Sequence, residues 1–330
     1  MLHSKTTVTL HDIYRARQAI QGHVTRTPLI RSESLSKRFA CDAWLKLETL
    51  QPTGAFKLRG ATYAMSKLTA EQRAAGVVTC STGNHGRAIA FAGNKLNVHT
   101  IICMSRLVPD NKVNAIRELG AEVRIIGESQ DEAEVEVRRL VNEAGMIYLP
   151  PFDHPDIMAG QGTIGIEIFE DLPDVGMIFA GLSGGGLLGG IGIAAKTINP
   201  NVKIIGASME RGAAMIASLE AGKPVQVTEY ESFADSLGGG IGLDNHVSMA
   251  AVKTVMDQAY LVTEAAIARA MVHFLEEEKM LVEGAAVIGV AAIEQHNLDV
   301  SGKKVVFIIS GKNVAIDTFD RARTLPQSQI

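Results

Sequence analysis

Lys57 stands between Phe56 and Leu58, three residues past a Pro52-Thr53-Gly54 turn. If those apolar neighbours bury it, desolvation disfavours the ammonium form and releases a nucleophilic amine. Such an amine condenses with carbonyl compounds, the aldehyde of pyridoxal phosphate among them. The competing reading is the ordinary one, a solvated surface lysine, because lysine is almost never fully buried without a partner.

Three loops offer chemistry that fits a shared ligand. Ser81-Thr82-Gly83-Asn84-His85-Gly86 lies between an apolar run and a helix-length segment, where open α/β sheets bind ligands. Its hydroxyls, amide side chain and backbone N–H groups suit an anionic carboxylate, although a capped turn would need only one of them. Ser183-Gly184-Gly185-Gly186-Leu187 follows another apolar run. Side chains are missing there, so backbone amides can cradle a phosphate at a helix N-terminus. No Lys-Ser/Thr pair follows, which excludes a Walker A loop. Gly184, Gly186 and Gly189 also satisfy the Gly-x-Gly-x-x-Gly pattern, with Glu210 downstream, so a dinucleotide reading competes. Packing glycines explain the loop less well, since consecutive glycines cost backbone entropy. Ser310-Gly311-Lys312-Asn313 ends the last apolar run; its hydroxyl could meet a ring nitrogen or simply serve the turn.

The elements that must position these loops alternate. Short apolar runs at 77–80, 100–104, 122–126 and 146–149 are separated by helix-length segments 84–96, 110–119 and 130–144. This alternation predicts βαβ units and a parallel sheet of about four strands. Before it, Thr9 with Asp12 predicts a capped helix to Ile20, 32–40 a second helix, 43–47 a strand and 57–67 a helix opened by Lys57; Thr69 with Gln72 forms another capping box. Pro150-Pro151-Phe152-Asp153 interrupts the pattern. It resumes with helices 158–169 and 187–198, strands 177–180 and 203–207, helices 247–256, 264–278 and 285–295, and a strand 304–309. The expected fold is α/β with two parallel-sheet lobes, a small one at 67–149 inserted between 1–66 and 150–330.

Composition narrows the function classes. The 330 residues are 46% hydrophobic and 21% charged, with a formal net charge of −4. That balance gives no sign of disorder, a nucleic-acid partner or a polybasic membrane anchor. The uncharged stretch 175–195 is long enough to span a bilayer, but its glycines favour strand, loop and helix. Residues 1–5 hold no signal core, so a cytoplasmic location is expected. Cys41, Cys80 and Cys103 are scattered and show no metal-ligand spacing.

Four motifs together, Ala55-Phe56-Lys57-Leu58-Arg59-Gly60-Ala61, Ser81–Gly86, Ser183–Leu187 and Ser310–Asn313, resemble the fold-type II pyridoxal phosphate enzymes, whose architecture is tryptophan synthase beta-like. The resemblance is to the serine/threonine dehydratase branch, supported by Pro151-Phe152-Asp153 and Ala159-Gly160-Gln161-Gly162-Thr163, and within it to the hydroxyectoine-utilisation dehydratases. It implies pyridoxal 5'-phosphate as cofactor, a homodimer, and β-elimination from a 3-hydroxy amino acid to give a 2-oxo acid and ammonia. Threonine, serine, 3-hydroxyaspartate and a hydroxyectoine-derived diamino acid stay open as substrates. Lys57 would hold the cofactor covalently and serve as the base, with Phe56 beside the ring. Ser183, Gly184, Gly185, Gly186 and Leu187 would bind the phosphate, Asn84 the ring hydroxyl and Ser310 the ring nitrogen. Ser81, Thr82, Gly83 and His85 would receive the substrate carboxylate. Ala55, Ser183 and Lys312 depart from the usual residues of the branch. At the divalent-metal site of some relatives this chain places Ser208, Gly212 and Ala214, so no metal is expected there. Two other classes compete: a nicotinamide dehydrogenase using Gly184–Gly189, and a non-catalytic cofactor-binding sensor.

Overall fold

Ten segments form strands among the described residues: β1 Leu29–Arg31, β2 Asp42–Leu47, β3 Val77–Cys80, β4 Thr100–Met104, β5 Glu122–Ile125, β6 Ile147–Tyr148, β7 Met177–Gly181, β8 Lys203–Met209, β9 Gln258–Val262 and β10 Lys304–Ile309. The structure, a computed structural model, describes residues 7–81, 83–108, 110–128 and 130–325. One sheet has the order β1-β2-β10-β7-β8-β9 and the other β5-β4-β3-β6. Every pairing is parallel except β1 with β2. The result is a two-lobed α/β molecule in which all strands of the second sheet lie between residues 77 and 148.

Both faces of the larger sheet are covered, so its central strands are apolar throughout rather than alternating. Val305, Phe307 and Ile309 of β10 face a core closed by helices Glu264–Glu276 and Gly284–His296. Val306 and Ile308 face the opposite core, with Ile164, Ile168, Leu188 and Ile191 of helices Pro155–Asp171 and Gly186–Ile198. The last strand in sequence thus lies between β2 and β7, and Phe307 stacks on Phe179 at 5.5 Å.

The structure adds elements that periodicity did not predict: β1, β9 and the helices Ala214–Ala221 and Ile316–Arg323. Both strands are sheet edges, and edge residues bury only part of their surface: β1 and β9 contain one buried residue between them, Val262. The stretch 175–195 divides into β7, a loop and helix Gly186–Ile198; among the described residues no helix is long and apolar enough to cross a membrane.

Helix Lys57–Ser66 is wedged between the lobes. Leu58, Ala61 and Met65 enter the small-sheet core with Ile89 and Ile102, while Tyr63 packs on Met158 and Ala159. It crosses helix Pro155–Asp171 at glycines: a Cβ on Gly160 would lie 2.6 Å from the Gly60 Cα. Near this crossing sit four buried charges. The Arg59 guanidinium donates to both oxygens of Glu48 and both of Glu167, and Lys46 Nζ donates to Glu167 at 2.6 Å. Arg59, Lys46 and Glu48 have no exposed surface. Their burial is tolerable because each charge is paired and its hydrogen-bonding capacity is used.

Candidate active site

Lys57 opens its helix without a side-chain cap, at the point where the chain leaves an isolated bridge between Ala55 and Gly311. That bridge ties the lysine turn to the end of β10: Phe56 N donates to Ser310 O at 3.0 Å and Lys312 N to Gly54 O at 2.9 Å. Lys57 Nζ donates to the Pro151 carbonyl at 2.7 Å. The Phe56 ring lies 5.4 Å from it and the Phe152 ring 5.9 Å. No carboxylate pairs with it among the described residues, and burial alone pushes its pKa down to about 8. Lys57 is half-buried as a residue, yet its amine does not stand free in solvent: two aromatic ring centroids lie within 6 Å of it and a carbonyl is its partner.

Phe152 carries the contact onward to the glycine loop. A Cβ on Gly184 would lie 2.2 Å from the Phe152 ring, and one on Gly186 3.1 Å from the Phe152 carbonyl oxygen. Gly185 adopts a left-handed φ of 84° as the N-cap of helix Gly186–Ile198. Gly184, Gly185, Gly186 and Leu187 are buried and Ser183 half-buried. The first-turn N–H groups of this helix have no intrahelical acceptor, and the dipole adds positive potential there.

Asn84 begins helix Asn84–Leu96. Its Nδ2 donates to both oxygens of Glu283 at 3.0 Å, and its Oδ1 accepts from Asn313 Nδ2 at 2.7 Å. Asn313 also donates to Thr53 O, joining the two lobes through the lysine turn. Ser310 is buried at the end of β10. Ser81 Oγ accepts from Gly86 N at 3.2 Å, and Gly83 is exposed. The His85 ring turns inward, where its Nε2 donates to Leu149 O at 3.0 Å; what it presents on the loop's outer side is its backbone. Thr82 lies outside the described residues. Lys312 is exposed, and Glu210 is an exposed residue at the end of β8.

Glu283 was not foreseen as a site residue. Burial, followed by repulsion from Asp235, outweighs the hydrogen bonds from Asn84, the Asn313 backbone and Ser236, and its pKa is raised. The available signal was a lone carboxylate in the apolar run Met280-Leu281-Val282-Glu283-Gly284-Ala285-Ala286.

Residues 20–311 match the family described as "Pyridoxal-phosphate dependent enzyme". A Sinorhizobium fredii protein provisionally named a threonine dehydratase is 50% identical over 307 residues, 93% of this chain and 92% of its own. The processed form of threonine deaminase isoform 2 from Solanum lycopersicum superposes with a TM-score of 0.89 at 32% identity, over 96% of this chain and 92% of that one. Maize serine racemase gives a TM-score of 0.89 at 30% identity, over 96% and 97%. These matches replace the nicotinamide reading of the glycine loop. The chain belongs to the pyridoxal-phosphate dependent enzymes of fold type II, in the serine/threonine dehydratase family.

Proposed function

We propose that this chain is an ammonia-lyase that eliminates water from a 3-hydroxy amino acid and yields a 2-oxo acid and ammonia. The observation that carries the reading is Lys57: a desolvated amine with a pKa of about 8, held between two rings beside a loop without side chains. The residues fit the cofactor. Lys57 would bind its aldehyde, and Gly184, Gly185, Gly186, Leu187 and Ser183 would hold its phosphate where no Cβ intrudes. Phe56 would lie beside the ring, Asn84 would meet the ring hydroxyl and Ser310 the ring nitrogen. When bound, pyridoxal phosphate supplies the electron sink for the α-carbon.

The remaining steps belong to this chain's residues. Ser81, Thr82, Gly83 and His85 would orient the substrate carboxylate at the start of helix Asn84–Leu96. Lys57 Nζ, neutral in a useful fraction near its pKa, takes the α-proton. The β-hydroxyl leaves as water, and a water added back at the α-carbon releases ammonia and the oxo acid. A neutral hydroxyl at the ring nitrogen weakens the electron sink compared with a carboxylate, which favours prompt elimination over a long-lived carbanion. The small inserted unit, 67–149 in this reading, would bring the carboxylate loop to the lysine.

L-Threonine and L-serine are the first substrates to test, because the names of the relatives carry them. A hydroxyectoine-derived diamino acid is the second reading. It is favoured by the Glu283 carboxylate beside Asp235, which a second substrate ammonium would relieve. A panel of L-threonine, L-serine, 3-hydroxyaspartate and such a diamino acid, assayed for oxo acid and ammonia, ranks them. Absence of turnover on every member, by a protein that holds the cofactor on Lys57, would leave the sensor reading in its place.

A further inference from the structure

The segment Leu149–Asp153 contacts three parts of the site: the Ser81–Gly86 loop through His85, the lysine and the glycine loop. At its start, the Leu149 carbonyl accepts from His85 Nε2 and from Thr79 Oγ1, both at 3.0 Å. Two residues on, the Pro151 carbonyl accepts from Lys57 Nζ at 2.7 Å. Phe152 packs against the glycine loop, and Asp153 accepts from the N–H groups of Val247 at 2.9 Å and Ser248 at 2.8 Å. Between the Leu149 and Pro151 carbonyls lie two prolines, whose rings fix φ, so few torsions separate the grip from the carbonyl that faces the lysine.

We propose that the Pro151 carbonyl is where the Lys57 ammonium rests whenever its amine is free, and that His85 is a positioning residue for that carbonyl, acting through Leu149. This rests on the reading of Lys57 as the cofactor lysine. The geometry leaves few other candidates. Among the described residues the amine meets two phenyl rings and this carbonyl, and no carboxylate pairs with it. The Lys57 charge is felt at His85: burial, then that charge, push the His85 pKa down to about 3, so its ring is neutral wherever the lysine titrates. A carbonyl can only accept, so the proton of His85 is on Nε2. Among the described residues Nδ1 is buried without a partner, and the ring's polar contact is its grip on Leu149. A buried ammonium that loses its acceptor is destabilised relative to the neutral amine. Loosening the perch therefore lowers the pKa of Lys57.

The test uses the full chain stripped of cofactor. Pyridoxal phosphate is added across a pH series, the initial rate of capture is read from visible absorption, and borohydride reduction with peptide mapping locates the adduct. Wild type should capture on Lys57 with a midpoint near pH 8. His85→Leu should lower the midpoint by about one unit, making capture roughly five-fold faster near pH 7. His85→Gln, whose amide nitrogen can reach the same carbonyl, should keep the wild-type midpoint, a rescue that mere packing does not predict. Thr79→Val removes the other donor to Leu149 with little change of shape and should shift the midpoint the same way by less, which keeps the test available if His85→Leu does not fold. Unchanged midpoints in the folded variants, or an equal shift in His85→Gln and His85→Leu, would overturn the perch while leaving the function intact. An adduct away from Lys57 in wild type would overturn the functional reading and the perch together.

Discussion

Replacing Arg59 with methionine tests the link between the buried charges and the lysine helix. Four of the guanidinium's hydrogen bonds, at 2.6–2.8 Å, go to Glu48 and Glu167. Without it, two buried carboxylates share the single cation Lys46. Removing one partner of a buried pair costs about 3–5 kcal/mol, because the other charge is left uncompensated. Against total stabilities of about 5–15 kcal/mol that is a large fraction, and at about 2 °C per kcal/mol it lowers Tm by roughly 6–10 °C. Thermal unfolding followed by circular dichroism, with cofactor saturating, reads the shift. Cofactor affinity should fall too, since Arg59 anchors the first turns of Lys57's own helix. The second substitution Glu48→Gln, added to Arg59→Met, leaves Lys46 and Glu167 as a balanced pair, so the double variant should be more stable than Arg59→Met alone. Burial alone would raise the Glu48 carboxyl, and Arg59 overcomes that and leaves it lowered. Its contribution is therefore complete above the unfolded value of about 4.3 and lost as pH falls below it, a loss Arg59→Met should no longer show. A Tm within about 2 °C of wild type for Arg59→Met, or a double variant no better than the single, would refute the charge-balance argument.

Lys57→Ala should abolish turnover and the visible cofactor band while far-ultraviolet circular dichroism is unchanged; normal elimination kinetics in this variant would remove Lys57 from the mechanism. Gly184→Ala should weaken cofactor binding at least about ten-fold in a fluorescence titration, because its Cβ would meet the Phe152 ring at 2.2 Å. Exhaustive chelation should leave turnover intact at the Ser208, Gly212 and Ala214 positions, where Ser208 Oγ is already donating to Met209 Sδ and Ala214 is a buried methyl; a several-fold loss restored by magnesium would contradict this. Incubation with L-serine followed by chiral separation should give D-serine far more slowly than pyruvate, since racemisation needs a second acid/base on the face away from Lys57 and a threonine, with its stiff χ1, would make position 82 a poor one; comparable rates would show otherwise.

Much of this protein could be read locally. The period of apolar runs announced the four-stranded small sheet, and the capping boxes at Thr9–Asp12 and Thr69–Gln72 are formed as their residues suggest. The lysine turn, the glycine loop and the serine at the end of β10 were each visible because each is a short stretch with its chemistry written in residue types. Tertiary structure decided what those stretches do to one another. Lys57 meets Pro151 and Phe152 from nearly a hundred positions away, and Asn84 donates to Glu283, 199 positions away. Nothing in their spacing pairs Lys46, Glu48, Arg59 and Glu167, which a strand, a turn and two crossing helices bring together. Edge strands β1 and β9 escaped for the opposite reason: pairing on one side leaves a weak apolar signal, and backbone hydrogen bonds to a neighbouring strand leave no trace in composition. Spacing along the chain encodes local conformation and the inventory of reactive groups. Which of those groups lose water, and which charge each then meets, depends on contacts that only the closed fold creates.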